Sequence, residues 1–245
     1  MTEKPSQDLI VGASSAIASA LIAQWAREAA RPIIAVSRSV ASEHNLGALD
    51  GVSVQHSDYS DASLELIAEM LLDADVDINR LVICNGVLQG EGYRPERALN
   101  QLEGRAMADV FEANTFTPMR VLAALSPVLK RSTAPRIAVL SARVGSIGDN
   151  RLGGWYSYRG SKAALNMMLK CAALELRRLN PAAKLIAYHP GTVDTPLSKP
   201  FQGNVDPQTL QTPEHAATAL DRVLSDAKVD GELAYLDWRG ETIVW

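Results

Sequence analysis

Short apolar runs, rich in Val, Ile and Leu, recur at 9–11, 33–36, 52–55, 81–84, 137–140, 185–188 and 233–236. Runs this short, bounded by polar or Gly- and Pro-containing segments, predict strands buried in a sheet. Between most of them the apolar positions return every three or four residues instead, as in Ile17, Leu21 and Trp25, in Leu64, Ile67 and Leu71, and in Leu165, Leu169, Ala172 and Leu176. That is the period of a helix with one covered face. Strands alternating with helices imply right-handed crossovers, so the expected fold is α/β, a doubly wound parallel sheet of about seven strands with helices on both faces. No repeat, low-complexity tract or block of like charge interrupts the rhythm, and residues 1–245 read as one domain.

Composition narrows the picture. A chain of 245 residues that is 47% hydrophobic can bury a full core. Its formal net charge of -4 comes from interspersed charges, which argues against a duplex nucleic-acid surface. The start, Met1-Thr2-Glu3-Lys4-Pro5, is polar, and Leu9-Ile10-Val11 is too brief for a signal sequence or a membrane span, so a cytoplasmic protein with no membrane partner is expected. Cys84 and Cys171 have no metal-like spacing and read as buried thiols. The longest irregular stretch, about 195–212, holds Pro196, Pro200, Gly203 and Pro207 and reads as a substrate lid, against the alternative of a tolerated surface insertion.

The first candidate site is the turn Val11-Gly12-Ala13-Ser14-Ser15-Ala16-Ile17-Ala18 between the first strand and the first helix. A doubly wound sheet places a dinucleotide pyrophosphate there, against helix N-terminal amides, which makes the chain a candidate Rossmann-like NAD(P)-binding domain. Gly12 supplies the tight turn, while Ala16 and Ala18 stand where glycines usually allow close approach. At the end of the second strand, where a carboxylate would signal NAD, the chain has Ser37-Arg38. A guanidinium beside a hydroxyl suits a 2'-phosphate, so NADP(H) is preferred, with NAD(H) as the second cofactor; a solvated arginine is the alternative. Ser14 and Ser15 are candidate donors to the same phosphate, and Asp58 a candidate acceptor from an adenine amino group or an N-cap for the helix that follows.

The second candidate site is Tyr158-Arg159-Gly160-Ser161-Lys162. Positions i and i+4 share a helix face, and an ammonium beside a phenol is expected to lower the tyrosine pKa from its usual ~10, making it a usable acid–base group. Tyr156 does not compete, because position 160 is glycine.

Taken in order, these motifs resemble the short-chain dehydrogenase/reductase family over essentially the whole chain. Gly12 to Ala18 is similar to its glycine-rich turn, Ile83-Cys84-Asn85-Gly86 occupies the place of its Asn-Asn-Ala-Gly motif, and Asn114 matches its helix asparagine. Tyr158 and Lys162 match its active-site pair, and Pro190-Gly191-Thr192-Val193-Asp194-Thr195 its Pro-Gly segment against the nicotinamide half. Within the family, the segments 141–147 and 154–159 and the C-terminal 237–245 look most like sniffer-type carbonyl reductases and C-factor-type signalling proteins.

The resemblance implies a mechanism. Tyr158 gives a proton to the alkoxide formed as hydride reaches a substrate carbonyl, Lys162 lowers the Tyr158 pKa and binds the nicotinamide ribose, and Asn114 anchors a water that relays protons to Lys162. It also implies a serine that holds the carbonyl, where the family writes Ser-Ser and this chain writes Ser141-Ala142. Ser141 is the candidate by motif and Ser146 the alternative. Asn85 and Gly86 join the expected cofactor contacts, with Pro190, Gly191, Val193 and Thr195. Arg143, Asp149, Asn150 and Arg151 make a polar rim, suited to a polar substrate or to a subunit contact, and His189 either reaches the site or is structural. The expected protein is an NADP(H)-dependent reductase of small carbonyl compounds, a homodimer or homotetramer. A dinucleotide-binding signalling protein with little turnover is the alternative.

Overall fold

Burial on both faces is what turns the apolar runs into the central strands of a sheet. In the computed structural model, which describes residues 4–39, 45–204 and 206–245, the strands are β1 (Ser6–Val11), β2 (Ile33–Ser37), β3 (Val52–His56), β4 (Asp77–Ile83), β5 (Arg136–Leu140), β6 (Lys184–His189), β7 (Thr192–Val193), β8 (Leu210–Gln211) and β9 (Ala234–Asp237). The polar start at 1–3 and Val205 of the expected lid lie outside the described residues. The helices are α1 (Ala16–Glu28), α2 (Asp61–Asp73), α3 (Gly104–Phe111), α4 (Thr117–Arg131), α5 (Tyr156–Leu179) and α6 (Pro213–Asp226).

Seven strands form one sheet in the order β3-β2-β1-β4-β5-β6-β9, and every neighbouring pair is parallel. Alternate residues serve opposite faces. Leu9, Val11, Leu81, Ile83, Ile137 and Val139 pack with α2, α4 and α5, whereas Ile10, Val82, Ala138 and Ile186 pack with α1 and α6. The expected Rossmann-like architecture is therefore present, with both faces covered.

Two expectations need correction. β4 starts at Asp77, four residues before the apolar run at 81–84, because Arg80 is buried inside the strand with charged partners. Cys84 is buried, but Cys171 is exposed, lying on α5 away from the face that buries Leu165, Leu169, Ala173 and Leu176.

Arg80 ties the two halves of the sheet to both helices of one layer. Its guanidinium donates to Asp8 on β1 (2.9 and 2.5 Å) and to Asp221 on α6 (2.7 Å), and it lies 3.8 Å from the centroid of the Trp25 ring on α1. The Trp25 indole N–H donates to the same Asp221 at 2.8 Å. A buried ion pair adds little over a well-packed apolar substitute, but removing one member strands the other, which costs about 3–5 kcal/mol. Arg80→Ala should therefore lower the unfolding free energy by about that amount, because Asp8 has no exposed side-chain surface. Denaturant unfolding checks this, and a loss below about 1 kcal/mol would overturn the assignment.

Candidate active site

The sheet order reverses direction at β1, whose neighbours are β2 and β4, and a doubly wound sheet has its ligand crevice beyond the C-terminal ends of the strands at such a point. The chain leaves β1 through Gly12, at φ 81°, and enters α1 four residues later. A Cβ on Gly12 would stand 3.0 Å from the Asn85 N and 3.1 Å from the Cys84 carbonyl carbon, so the two strand ends approach as only glycine permits. Ser15 caps α1, its hydroxyl accepting from the Ala18 N–H at 3.1 Å. Helix geometry leaves the N–H groups of Ala16 and Ile17 outside the intrahelical ladder at this edge. Ser14 is exposed. Asn85 contributes a buried side-chain oxygen with no hydrogen-bond partner, an acceptor that a hydroxyl or amine in the crevice would satisfy.

At the end of β2, the buried Ser37 hydroxyl accepts from the Ser39 N–H at 3.0 Å, and the exposed Arg38 guanidinium lies 5.5 Å from the centroid of the Tyr59 ring. Tyr59 itself is buried with φ 65°, an uncommon conformation for a bulky residue. Asp58 is exposed, and hydrogen bonds from the Ser60 side chain and from the Ser60 N–H, the latter at 2.9 Å, hold its carboxyl below the usual carboxylate value. The N-cap of α2 is Ser60 rather than Asp58.

The catalytic candidates converge from three elements. Lys162 on α5 is buried and donates to the Leu140 carbonyl at the end of β5 at 2.8 Å. Asn114 lies in a π-turn at Glu112–Phe116, between α3 and α4, a distortion common at functional sites. Its carboxamide accepts from the Val87 N–H (2.7 Å) and donates to the Val87 carbonyl (2.8 Å) and to the Ser161 hydroxyl (3.1 Å). Gly86 sits where these meet, since a Cβ there would lie 3.1 Å from the Asn114 Oδ1 and 3.4 Å from the Lys162 Nζ. The Ser161 hydroxyl in turn donates to the Tyr158 carbonyl at 2.9 Å.

The electrostatics differ from expectation. Burial pushes the Tyr158 phenol up to about 12 rather than down, and burial pushes Lys162 down to about 7. The ammonium is bonded to the Leu140 carbonyl and stands 6.0 Å from the Tyr158 ring centroid, too far to outweigh the loss of water around the phenol. Cys84 is pushed up to about 12 by burial and stays a neutral thiol.

Ser141 is buried at the end of β5 and donates to the Asn166 Oδ1 at 2.6 Å. Ser146 is buried too, its hydroxyl accepting from the Asp149 N–H at 3.0 Å. Both serines are thus held by groups of the chain itself. The polar rim is likewise paired internally, with Arg143 bridging Asp237 (3.0 Å) and Asp149 (3.5 Å) and Asn150 accepting from the Gly153 N–H. Burial, with Arg143 nearby, pushes His189 down to about 4, so it is neutral.

After β6, Gly191 turns at φ 77° against Gln211 and Trp238, and Gln211 donates to the Pro190 carbonyl at 2.9 Å. Val193 is buried in β7, which pairs in parallel with β8. Thr195 opens a turn, its N–H donating to the Ser198 hydroxyl at 3.3 Å. The stretch read as irregular therefore contains a strand and a 3-10 turn at Lys199–Asn204. Its Phe201 ring lies 5.2 Å from Trp155, which lies 6.2 Å from Tyr158.

Sequence reasoning missed Glu96. It is buried, and its carboxylate accepts from the Ser157 N–H and hydroxyl at the start of α5. A lone glutamate in the segment before an asparagine-bearing helix carries no local pattern that points to that partner.

A doubly wound parallel sheet, a glycine turn at its switch point and a tyrosine–lysine pair on a buried helix define a Rossmann-like protein of the oxidoreductase class. The chain belongs to the short chain dehydrogenase family, whose model matches residues 8–205. It is 32% identical to the C-signal of Myxococcus xanthus over 148 residues, 60% of this chain and 84% of that protein. It is also 32% identical to 1-hydroxy-2-glutathionyl-2-methyl-3-butene dehydrogenase of a Rhodococcus species over 161 residues, 66% of each. In fold it is similar to the NADPH-bound carbonyl reductase from chicken fatty liver (TM-score 0.80, 23% identity, all of both chains covered). The carbonyl reductase Sniffer of D. melanogaster has a TM-score of 0.82 at 18% identity, covering 99% of this chain and 100% of that one.

The displaced lysine makes a stability prediction. Folded Lys162 loses its proton near pH 7, whereas the unfolded chain keeps it to about 10.5. Between those values the unfolded state binds more protons, so stability rises with pH; the burial cost is full below the folded pKa and gone above the unfolded one. Lys162→Met removes the charge. Its stability advantage over the wild type should be largest below pH 7 and shrink steadily toward pH 10.5 in urea unfolding at stepped pH. A difference that does not change with pH would refute the buried, readily deprotonated lysine.

Proposed function

We propose that the chain is an NADP(H)-dependent oxidoreductase acting between a carbonyl and its alcohol, with Tyr158 as the acid–base group. The observation that carries the reading is the meeting of Lys162, Asn114 and Gly86 within a few ångströms, one helical turn from Tyr158. A nicotinamide cofactor suits the crevice on its own geometry: Gly12 leaves no room for a side chain, Asn85 holds an orphaned acceptor, and the exposed Arg38 at the end of β2 would meet the adenosine ribose. Gly12, Ser14, Ser15, Ala16 and Ile17 would face its phosphates, Ser37, Arg38 and Asp58 its adenosine, and Asn85, Gly86, Pro190, Gly191, Val193 and Thr195 the rest. When bound, it supplies the hydride.

The residues of the chain do the remaining work. A phenol pushed up to about 12 is fully protonated at neutral pH, so Tyr158 is set to give its proton to a forming alkoxide, which favours reduction. Lys162, down at about 7, exchanges a proton near neutrality and can recharge the phenol. Ser141 is the carbonyl-holding hydroxyl once it leaves Asn166, with Ser146 as the alternative. The protein works in the cytoplasm as a homodimer or homotetramer on a small-molecule substrate.

One observation favours the second reading, a dinucleotide-binding signalling protein with little turnover. Ala142 stands in the family's usual serine place, and Ser141 is sealed against Asn166. The relative called C-signal agrees with it in name.

Turnover separates the two. With NADPH and a panel of aldehydes, ketones and diketones, Tyr158→Phe should lower kcat by about 10²–10⁴-fold while NADPH still binds. Activity that survives the change would remove Tyr158 from its role, and no turnover of any carbonyl by the wild type would favour the signalling protein. Arg38→Asp should raise the NADPH dissociation constant at least tenfold and leave the NADH constant within about threefold, read by tryptophan fluorescence titration. Equal constants before and after would refute the 2'-phosphate contact.

A further inference from the structure

The helix that carries Tyr158 and Lys162 begins without a cap of its own. Trp155, at its N-cap position, makes no side-chain cap bond and sits in the left-handed region at φ 51°, and the first turn holds no acidic residue. A helix start leaves orphan N–H groups, and here they lie next to the proposed acid–base group. The cap comes from Glu96, 61 residues upstream: the Ser157 N–H donates to its Oε2 at 3.2 Å and the Ser157 hydroxyl to its Oε1. The Glu96 backbone carbonyl also accepts the Trp155 N–H at 2.5 Å, which holds Trp155 in its strained conformation.

Glu96 is 5% exposed, and among the described residues no cation pairs with it. A buried carboxylate without a counter-charge is costly unless something else meets its charge. Here the positive end of the helix dipole, with two donors from Ser157, meets it. Ser157 directly precedes Tyr158, so the direction in which the phenol leaves the helix is fixed from the same point.

We propose that Glu96 is a positioning residue for Tyr158, acting as the N-cap of the catalytic helix from a distant part of the chain. This rests on the oxidoreductase reading above. A displacement of about 1 Å in a reacting group can cost on the order of 10²-fold in rate. Glu96→Ala should therefore lower kcat roughly 10–100-fold, with KM and the NADPH dissociation constant within about threefold. Glu96→Gln keeps a carbonyl for the Ser157 N–H and an amide to donate to the Ser157 hydroxyl, so it should recover most of the lost kcat.

Hydrogen exchange tests the cap without any turnover. In Glu96→Ala the amides of residues 153–159 should exchange at least tenfold faster, while those of β5 do not change. Unchanged exchange at 153–159 overturns the cap. Faster exchange with kcat unaltered overturns the positioning role, as does a Glu96→Gln variant no better than alanine although it is equally folded by circular dichroism. A wild type that reduces no carbonyl while its exchange pattern is as expected overturns the oxidoreductase reading, and the positioning role with it, but leaves the cap standing as a structural feature.

Discussion

The carboxamide of Asn114 is the point to which the rest of the site is referred. It closes on both polar groups of Val87, which fixes the loop leaving β4, and reaches the Ser161 hydroxyl, which fixes α5. Thr115 adds a second tie by donating to the Ser161 carbonyl at 2.8 Å. A side chain with two donors and a two-lone-pair acceptor is suited to such bridging, and no charged group would satisfy the Val87 N–H and C=O together. The π-turn delivers that carboxamide by shifting the register of the helix at this one place. Without it, the Lys162 amine and the Gly86 backbone would have no common reference.

Two kinds of buried charge divide the sheet. Toward the N-terminal ends of β1 and β4, Arg80 is matched by two carboxylates and an indole, and burial is offset by contact on every side. At the C-terminal ends, Lys162 has one carbonyl, His189 has an unpartnered ring nitrogen, and the Tyr158 phenol is short of water. The first arrangement stabilises the fold. The second keeps the His189 ring neutral and the Tyr158 phenol protonated, and leaves Lys162 alone of the three close to the point of changing protonation state.

The sheet was legible in the sequence because its strands are buried on both faces, and continuous apolar runs such as 137–140 and 185–188 suit a strand covered on two sides. The tyrosine–lysine pair was legible because four residues on a helix is a local relation. Arg80 was not, because a cation inside a strand makes sense only once Asp8 and Asp221 are brought together by the fold. Glu96 was hidden for the same reason, and β7 and β8 because a two-residue pairing leaves no periodicity to read. The direction of the Tyr158 shift is not legible in the spacing, which reports which charge is near, while burial depends on everything else packed around the phenol.

The β7–β8 pair joins Thr192 to Leu210 and Val193 to Gln211, and Asp194 closes it with an N–H to the Gln211 carbonyl at 2.8 Å. The segment between them is tied to this clasp by its own side chains, the Ser198 hydroxyl donating to the Val193 carbonyl and the Gln202 amide to the Asp194 carboxylate at 2.9 Å. Loop-closure entropy grows only slowly with length, so these ties matter more to the clasp than the number of residues it encloses. An exchange within this segment that keeps Ser198 and Gln202 therefore keeps the clasp, and with it the Gln211 side chain that holds the Pro190 carbonyl.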